Sequence, residues 1–277
     1  MRTYLSALLS FLSFMSTTSI GHAQDVSALH LSHDSTVRIS SNTGRSSGSG
    51  SLVGDQLVLT CLHVAVLVQP AANNSVNLIA LNDLMVTMPS GESIPAVIVS
   101  VPNQADTGPA DHDFAFLRLA RKPSGSYKTV RLAGDKSEPE LGDEVVFSGY
   151  PLNVPGMVTH RGMVSGKDDR RDLIFIEASI NKGNSGGAIL NRKGEVLGIV
   201  SLREGGITQG LAQLREQINA QQGSGMQVMI MGIDPMTSYK ALIDTIDTYI
   251  STGIGYAHSI RFVSEYLQRH PEIKISK

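Results

Sequence analysis

The sequence predicts an all-β fold in two halves with a partly helical C-terminal third. Three observations carry that expectation. Short runs of alternating or continuous Val, Ile and Leu recur through the first two hundred residues, separated by Gly, Ser, Asn and Asp. Glycine is abundant at 27 residues while aromatics are only 5%, which suits a chain with many turns rather than a helical bundle. A proline- and charge-bearing stretch, Arg121 to Leu141, separates two such strand-rich regions. Many short strands at close spacing point to a barrel or sandwich, not to βαβ units.

Residues 1–23 read as a secretory signal peptide. Arg2 supplies the positive start, Leu5 to Met15 the apolar stretch, and Gly21-His22-Ala23 the small residues around a cut after Ala23. The apolar stretch is too short to span a bilayer, and no later segment is long enough either. The expected location is secreted or periplasmic, with no membrane attachment after signal removal. Cys61 is the single cysteine, so no internal disulfide is available and stability rests on the core. The formal charge is −2 without basic runs, which gives no reason to expect a nucleic-acid partner. The histidines are scattered without ligand spacing, so neither a metal nor another cofactor is expected.

Residues 24–35 are polar and read as a loose lead-in. The first half, residues 36–120, opens with Val37 and Ile39 alternating with Arg38 and Ser40. Ser41 to Gly50 is a Ser/Gly loop. Leu52-Val53 and Leu57 to Thr60 flank Gly54-Asp55 as a hairpin. Strands are expected again at Val76 to Leu81, Met85 to Met88 and Ile94 to Val101, and Asp113 begins a buried strand through Leu119. After the connector, 121–141, the second half occupies residues 142–277. Asp143 to Gly149, Thr159 to Ser165 and Leu173 to Ile176 read as strands, followed by a glycine loop around Ser185 and a strand at Val196 to Val200. Leu211, Leu214 and Ile218 mark a helix over Ile207 to Gln222. Met226 to Ile233 reads as a Met-rich strand. Leu242, Ile243, Ile246 and Ile250 mark a helix over Ser238 to Ile250, and residues 259–269 close the chain as an amphipathic helix.

The chemistry concentrates in Asn181 to Leu190. A serine is a weak nucleophile unless a base takes its proton, a carboxylate orients that base, and N–H donors face the developing oxyanion. Ser185 is the candidate nucleophile, and the N–H groups of Gly183 and Ser185 the candidate donors. His63 follows a hydrophobic strand and starts an apolar turn, which makes it the candidate base. His112 competes, but no hydrophobic strand precedes it. Asp113 directly precedes an apolar strand and is favoured as orienter over Asp111. Cys61 lies in an apolar setting, which argues against a nucleophilic thiol.

These segments, in this order, resemble the chymotrypsin-fold (trypsin-like) serine proteases. Ser49 to Val53 with Leu57 to Val64 resembles their histidine segment, Asp113 to Leu117 their aspartate segment, and Gly183 to Gly187 their serine segment. Leu197 to Ser201 resembles the strand that runs beside bound substrate. Ser179 to Gly187, Gly253 to Ala257, Gly142 to Val146 and Gly149-Tyr150-Pro151 are similar to the HtrA/Deg branch. The resemblance implies two six-stranded antiparallel β-barrels with the site between them. It also implies a catalytic triad of His63, Asp113 and Ser185, an oxyanion hole of Gly183 and Ser185, and a protein or peptide substrate hydrolysed through an acyl-enzyme. Ser179, Ile180, Ser201 and Ile254 would line the substrate pocket and favour small or medium aliphatic side chains. A charged His258 would instead favour glutamate.

Three departures stand out. Asn184 is neutral where digestive relatives carry an aspartate, so activation by an inserted N-terminal amine is not expected. The sequence ends after the closing helix, whereas HtrA proteins usually continue into PDZ domains, so partner sensing falls to this domain. The insertion 203–252 separates two strands that border the cleft, and reads either as a gate or as a structural flap. The expected function is a secreted serine endopeptidase. The alternative is a protease-fold binding or chaperone-like module with a closed or inactive site. Oligomeric state is left open.

Overall fold

A computed structural model describes residues 27–70, 76–102, 113–134, 137–152, 154–203, 209–223, 229, 234–249 and 253–276. The leader expected over residues 1–23, the competitors Asp111 and His112, and nearly all of the strand expected at Met226 to Ile233 lie outside these residues.

Residues 27–35, expected as a loose lead-in, form a helix, α1. It is short of apolar side chains: Ala28 is buried, and Leu29 and Leu31 pack partly on the core. Its hydroxyls fold back on the backbone, Ser35 Oγ donating to the Leu31 carbonyl and Thr36 Oγ1 to that of Ser32. At its centre the Ser32 and Ser148 hydroxyls meet at 2.8 Å, and Ser148 in turn meets Thr159 at 2.8 Å. These groups tie α1 to the second barrel.

The first barrel is a closed sheet of six strands. In chain order these are β1 (Thr36–Ser41), β2 (Ser47–Gly54), β3 (Leu57–Thr60), β6 (Leu84–Thr87), β7 (Ser93–Ser100) and β8 (Ala115–Leu119). Around the barrel the order is β1, β2, β3, β8, β7, β6, every pairing being antiparallel. Strand β7 alternates buried Ile94 and Ala96 with exposed Ser93, Pro95 and Val97, as a sheet with one wet face requires. Strand β3 is buried throughout because it is covered on both faces. Between β3 and β6 lie a one-turn helix α2 (Leu62–Ala65) and a separate hairpin of β4 (Val66–Pro70) and β5 (Val76–Ala80).

The second barrel uses β10 (Glu144–Gly149), β11 (Val158–Asp168), β12 (Leu173–Glu177), β13 (Ala188–Leu190), β14 (Glu195–Arg203) and β15 (Ile254–Ser259). The ring runs β13, β10, β11, β12, β15, β14 and closes through the β13–β14 pairing. A two-residue strand, β9 (Arg131–Leu132), adds in parallel to β14. The expected two six-stranded barrels are therefore the observed architecture.

Residues 204–253 are inserted between the paired strands β14 and β15, and contain α3 (Gln209–Gly223) and α4 (Pro235–Tyr249). The two helices pack on each other, with Ile218 and Ile243 buried apart from the main core. Helix α5 (Arg261–Arg269) buries Val263 and Tyr266. The Tyr266 ring meets Phe114 edge-on at 5.4 Å, and Ser276 N–H donates to the Val53 carbonyl at 2.6 Å. The C-terminal segment thus lies against the first barrel as well as the second.

Candidate active site

The site lies where loops of the two barrels meet. Strand β3 delivers the chain to Cys61, which caps α2. Within that single turn Leu62, Val64 and Ala65 are buried, which leaves His63 as the outward residue, its side chain 41% exposed. Asp113 precedes β8, anchored by the buried Phe114 that follows. Its carboxylate grips His63 twice: Oδ1 accepts the backbone N–H at 3.0 Å and Oδ2 meets ring Nδ1 at 2.7 Å. Burial by itself pushes the Asp113 carboxyl up. The bonds from His63 and from Ser201 outweigh it and hold the group well below the usual carboxylate range.

Ser201 reaches Asp113 because of a bulge. Val200 pairs with Ala257 and Leu202 with Tyr256, so Ser201 is the extra residue on β14. Its hydroxyl donates to Asp113 Oδ2 at 2.5 Å and is buried. The pocket expectation for Ser201 therefore meets a side chain already committed to Asp113.

The glycines around Ser185 are there for steric reasons. Gly183 has φ +99 and Gly186 φ +93, and a Cβ on Gly186 would stand 2.0 Å from the Ser49 carbonyl oxygen. The first barrel pins this loop through Ser49. Ser49 Oγ donates to the Gly183 carbonyl at 2.7 Å and accepts the Tyr150 N–H at 2.9 Å, while Ser49 N–H donates to the Ser185 carbonyl at 2.8 Å. The backbone N–H groups of Gly183 and Ser185 make no hydrogen bond among the described residues. Asn184 is fully buried, and neither its Oδ1 nor its Nδ2 has a partner among the described residues. A Cβ on Gly149 would come within 2.7 Å of that Oδ1.

The Ser185 hydroxyl donates to the carbonyl of Ser201 at 2.9 Å. Among the described residues no hydrogen bond joins it to His63. The group gathered with His63 and Asp113 is Cys61, with the three side-chain ligand atoms all within 4.8 Å of one another. This corrects the expectation of a serine endopeptidase, a hydrolase working through a Ser185-His63-Asp113 triad. The Cys61, His63 and Asp113 cluster stands at the expected triad, and argues for an altered or inactive site. Cys61 does not replace the serine as nucleophile. It is fully buried, its Sγ donates to the Val200 carbonyl at 3.1 Å, and burial together with the Asp113 charge pushes its thiol well above the usual range.

The remaining pocket candidates are spread out. Ser179 is exposed, Ile180 is buried and Ile254 is 39% exposed. Ile180 fills the space over Gly255, its Cδ1 lying 2.1 Å from where a Cβ there would sit. His258 is buried at the other end of β15, opposite Leu173 and Ile199. Sequence reasoning missed the roles of Ser49 and Ser201 as clamps. It also missed the Cys-x-His spacing at residues 61–63, which was the available signal for the cluster.

The family profile described as "Trypsin-like peptidase domain" matches residues 48–199. A relative from Arabidopsis thaliana, "Putative protease Do-like 14", is 32% identical over 167 residues, covering 56% of this chain and 35% of that protein. "Serine protease HtrA-like" from Staphylococcus aureus (strain USA300) is 35% identical over 107 residues, 33% of this chain and 14% of that protein. The chain thus matches only a minor part of these relatives' length. Among solved structures, the serine endoprotease from Yersinia pestis aligns with a TM-score of 0.53 at 21% identity, over 87% of this chain and 64% of that one, a likeness of fold. With a profile match over more than half its length and a fold of two closed six-stranded barrels, the chain belongs to the trypsin-like peptidase domain family and is related to its HtrA/Deg members.

Proposed function

We propose that this chain is a protease-fold peptide-binding module whose site is not set for hydrolysis. The observation that carries this reading is the direction of the Ser185 hydroxyl, which is spent on the Ser201 carbonyl while the buried Cys61 thiol keeps company with His63 and Asp113. A serine without a base is a poor nucleophile, and a buried, protonated thiol is a worse one. What stays available is suited to holding an extended peptide. Two backbone N–H groups, of Gly183 and Ser185, can donate to a carbonyl or carboxylate oxygen, and the partly exposed Ile254, opposite Glu177 at the start of β15, offers apolar surface. In this reading the leader at residues 1–23 directs export to a secreted or periplasmic location, and the insertion within 203–252 is the element that governs access.

The test is mass spectrometry after incubation with a fluorophosphonate, beside binding of an unstructured polypeptide. The proposal expects saturable polypeptide binding with no adduct and no cleavage. A single adduct on Ser185, absent from Ser185→Ala, would overturn it, because labelling needs nucleophile, base and oxyanion donors working together. Deleting residues within 204–251 then asks whether the insertion controls access: a changed rate of polypeptide association supports that role, and an unchanged rate removes it.

A further inference from the structure

We propose that the cavity between α5 and the β11–β12 hairpin binds a linear polyamine, with ammonium groups on its rim carboxylates and the methylene chain along its apolar floor. The cavity measures about 580 Å³, within the size range of small-molecule sites. The connector beyond β9, the hairpin, Leu197 of β14 and the junction of β15 with α5 enclose it. None of Cys61, His63, Asp113 or Ser185 lines it, so the proposal stands apart from the reading of the Ser185 site.

One wall comes from a single face of α5. Arg261, Ser264, Glu265 and Gln268 stand at i, i+3, i+4 and i+7 and line the cavity, while Val263 and Tyr266 anchor the helix in the core. The floor is apolar, with Ile174, Leu197 and Ile260 buried beneath it. The rim carries an excess of one sign. Five carboxylates line the cavity against two cationic side chains, Lys167 and Arg261. Arg261 is committed to Asp172, its guanidinium meeting the two carboxylate oxygens at 3.2 and 3.3 Å. Lys167 stands 4.0 Å from Glu138, and Arg171, outside the lining, 3.9 Å from Asp168. Asp169 and Glu265 make no ion pair among the described residues.

A surplus of negative charge in a concave, partly apolar site draws in cations. Asp172 registers that surplus. Its side chain is 13% exposed, and burial, aided by the neighbouring Glu265 charge, holds its carboxyl above the usual range even with Arg261 upon it. The form of the cation follows from how the carboxylates are spread. Calcium needs about six to eight oxygens converging on one point. Among the described residues, no three acidic side chains of this cavity bring their oxygens together in that way. Charges distributed around an apolar floor instead match a ligand whose cations are separated by methylenes. Such a chain lays its stem on apolar surface and turns its charged ends to carboxylates and water, as lysine side chains do.

The experiment is calorimetric titration of the full chain with spermidine at low ionic strength, where screening is weakest, beside putrescine and ethylamine as probes with fewer ammonium groups. The expected result is one spermidine per chain, with affinity falling in the order spermidine, putrescine, ethylamine. Asp169→Asn and Glu265→Gln, both at exposed positions, should each weaken spermidine binding by roughly 1.5- to 5-fold, and together by about 2- to 25-fold. Glu216→Gln removes the same charge from α3, in the insertion that leaves β14 at its far end, and should leave the affinity unchanged. Absence of saturable binding, ethylamine binding as tight as spermidine, or an equal loss in Glu216→Gln would overturn the proposal. So would binding of a lysine-rich peptide with none of spermidine, which would make this a surface for basic polypeptides. Fluorophosphonate labelling bears on the Ser185 site alone; the titration decides the polyamine site whichever way labelling falls.

Discussion

Replacing Ser49 by alanine tests the idea that one hydroxyl from the first barrel holds the Ser185 loop of the second. Ser49 is fully buried, and its Oγ joins the Gly183 carbonyl to the Tyr150 N–H. Alanine removes the oxygen and leaves both backbone groups facing a gap left by a single atom, too small for water to fill well. Each orphaned buried group costs about 1–3 kcal/mol. Tyr150 is only partly buried, so the sum is taken as about 2–4 kcal/mol. For a chain of this size that corresponds to a drop of roughly 4–16 °C in the unfolding midpoint. Calorimetry reads the midpoint, and urea unfolding checks that the slope is unchanged, so that the native state and not the denatured ensemble has been altered. Ser93→Ala is the control, because its hydroxyl bonds Thr87 on an exposed face. A Ser49→Ala midpoint within about 2 °C of wild type would refute the clamp, since even one orphaned group predicts more.

Gly186→Ala should give little soluble protein, because φ is +93 and the new Cβ would lie 2.0 Å from the Ser49 oxygen and 2.3 Å from Thr60 Oγ1; normal yield and an unchanged thermal midpoint would count against this. Tyr266→Ala should cost about 3–5 kcal/mol, the range for emptying a large aromatic site, since Tyr266 is 8% exposed, edge-on to Phe114 and stacked on His270; denaturant titration measures it. Lys122→Ala should leave the denaturation midpoint unchanged within error, because its bridge to Asp55 is exposed at both ends. The Asp113 carboxyl is held low in the folded chain, so its contribution to stability is fully present above about pH 4 and is lost as pH falls below the ordinary Asp value. A pH series of unfolding midpoints should therefore fall on the acid side in wild type and fall less steeply in Asp113→Asn.

The barrels were legible because burial on one face or two leaves a pattern in the chain. Val37 and Ile39 alternate with polar neighbours, and Leu57 to Leu59 is continuously apolar, matching β1 and β3. Periods of 3.6 residues marked α3, α4 and α5 in the same way. The start of α4 was placed late, at Ser238, although Asp234-Pro235 is a helix-start signal. Asp234 accepts the Met236 N–H at 2.9 Å, and proline needs no partner at the first helical position. Helix α1 escaped because hydroxyls rather than a hydrophobic stripe hold it down, and β9 because two residues cannot show a period. His63 and Asp113 could be read from their places beside strands, and the structure joins them. The company they keep could not be read. Ser201 points at Asp113 through a one-residue bulge, and a bulge inverts the side of a strand without leaving a mark in composition. Cys61 was judged from its apolar setting, which described its burial correctly but not its proximity to His63 and Asp113.

The placement of residues 204–253 has a consequence for how the fold can be altered. They leave the second barrel between two strands that are hydrogen-bonded along their length, with Arg203 opposite Gly255 at the point of departure. The ends of the insertion are thus held together by the barrel itself. Closing a loop costs only about 0.6 kcal/mol for each doubling of its length, so this corner can carry a long excursion, a short turn or a foreign module with little penalty to the β-structure below. Because Ile218 and Ile243 form a nucleus separate from the barrel core, the excursion is a cassette with its own packing. It is the natural port for exchanging recognition elements, or for installing a reporter.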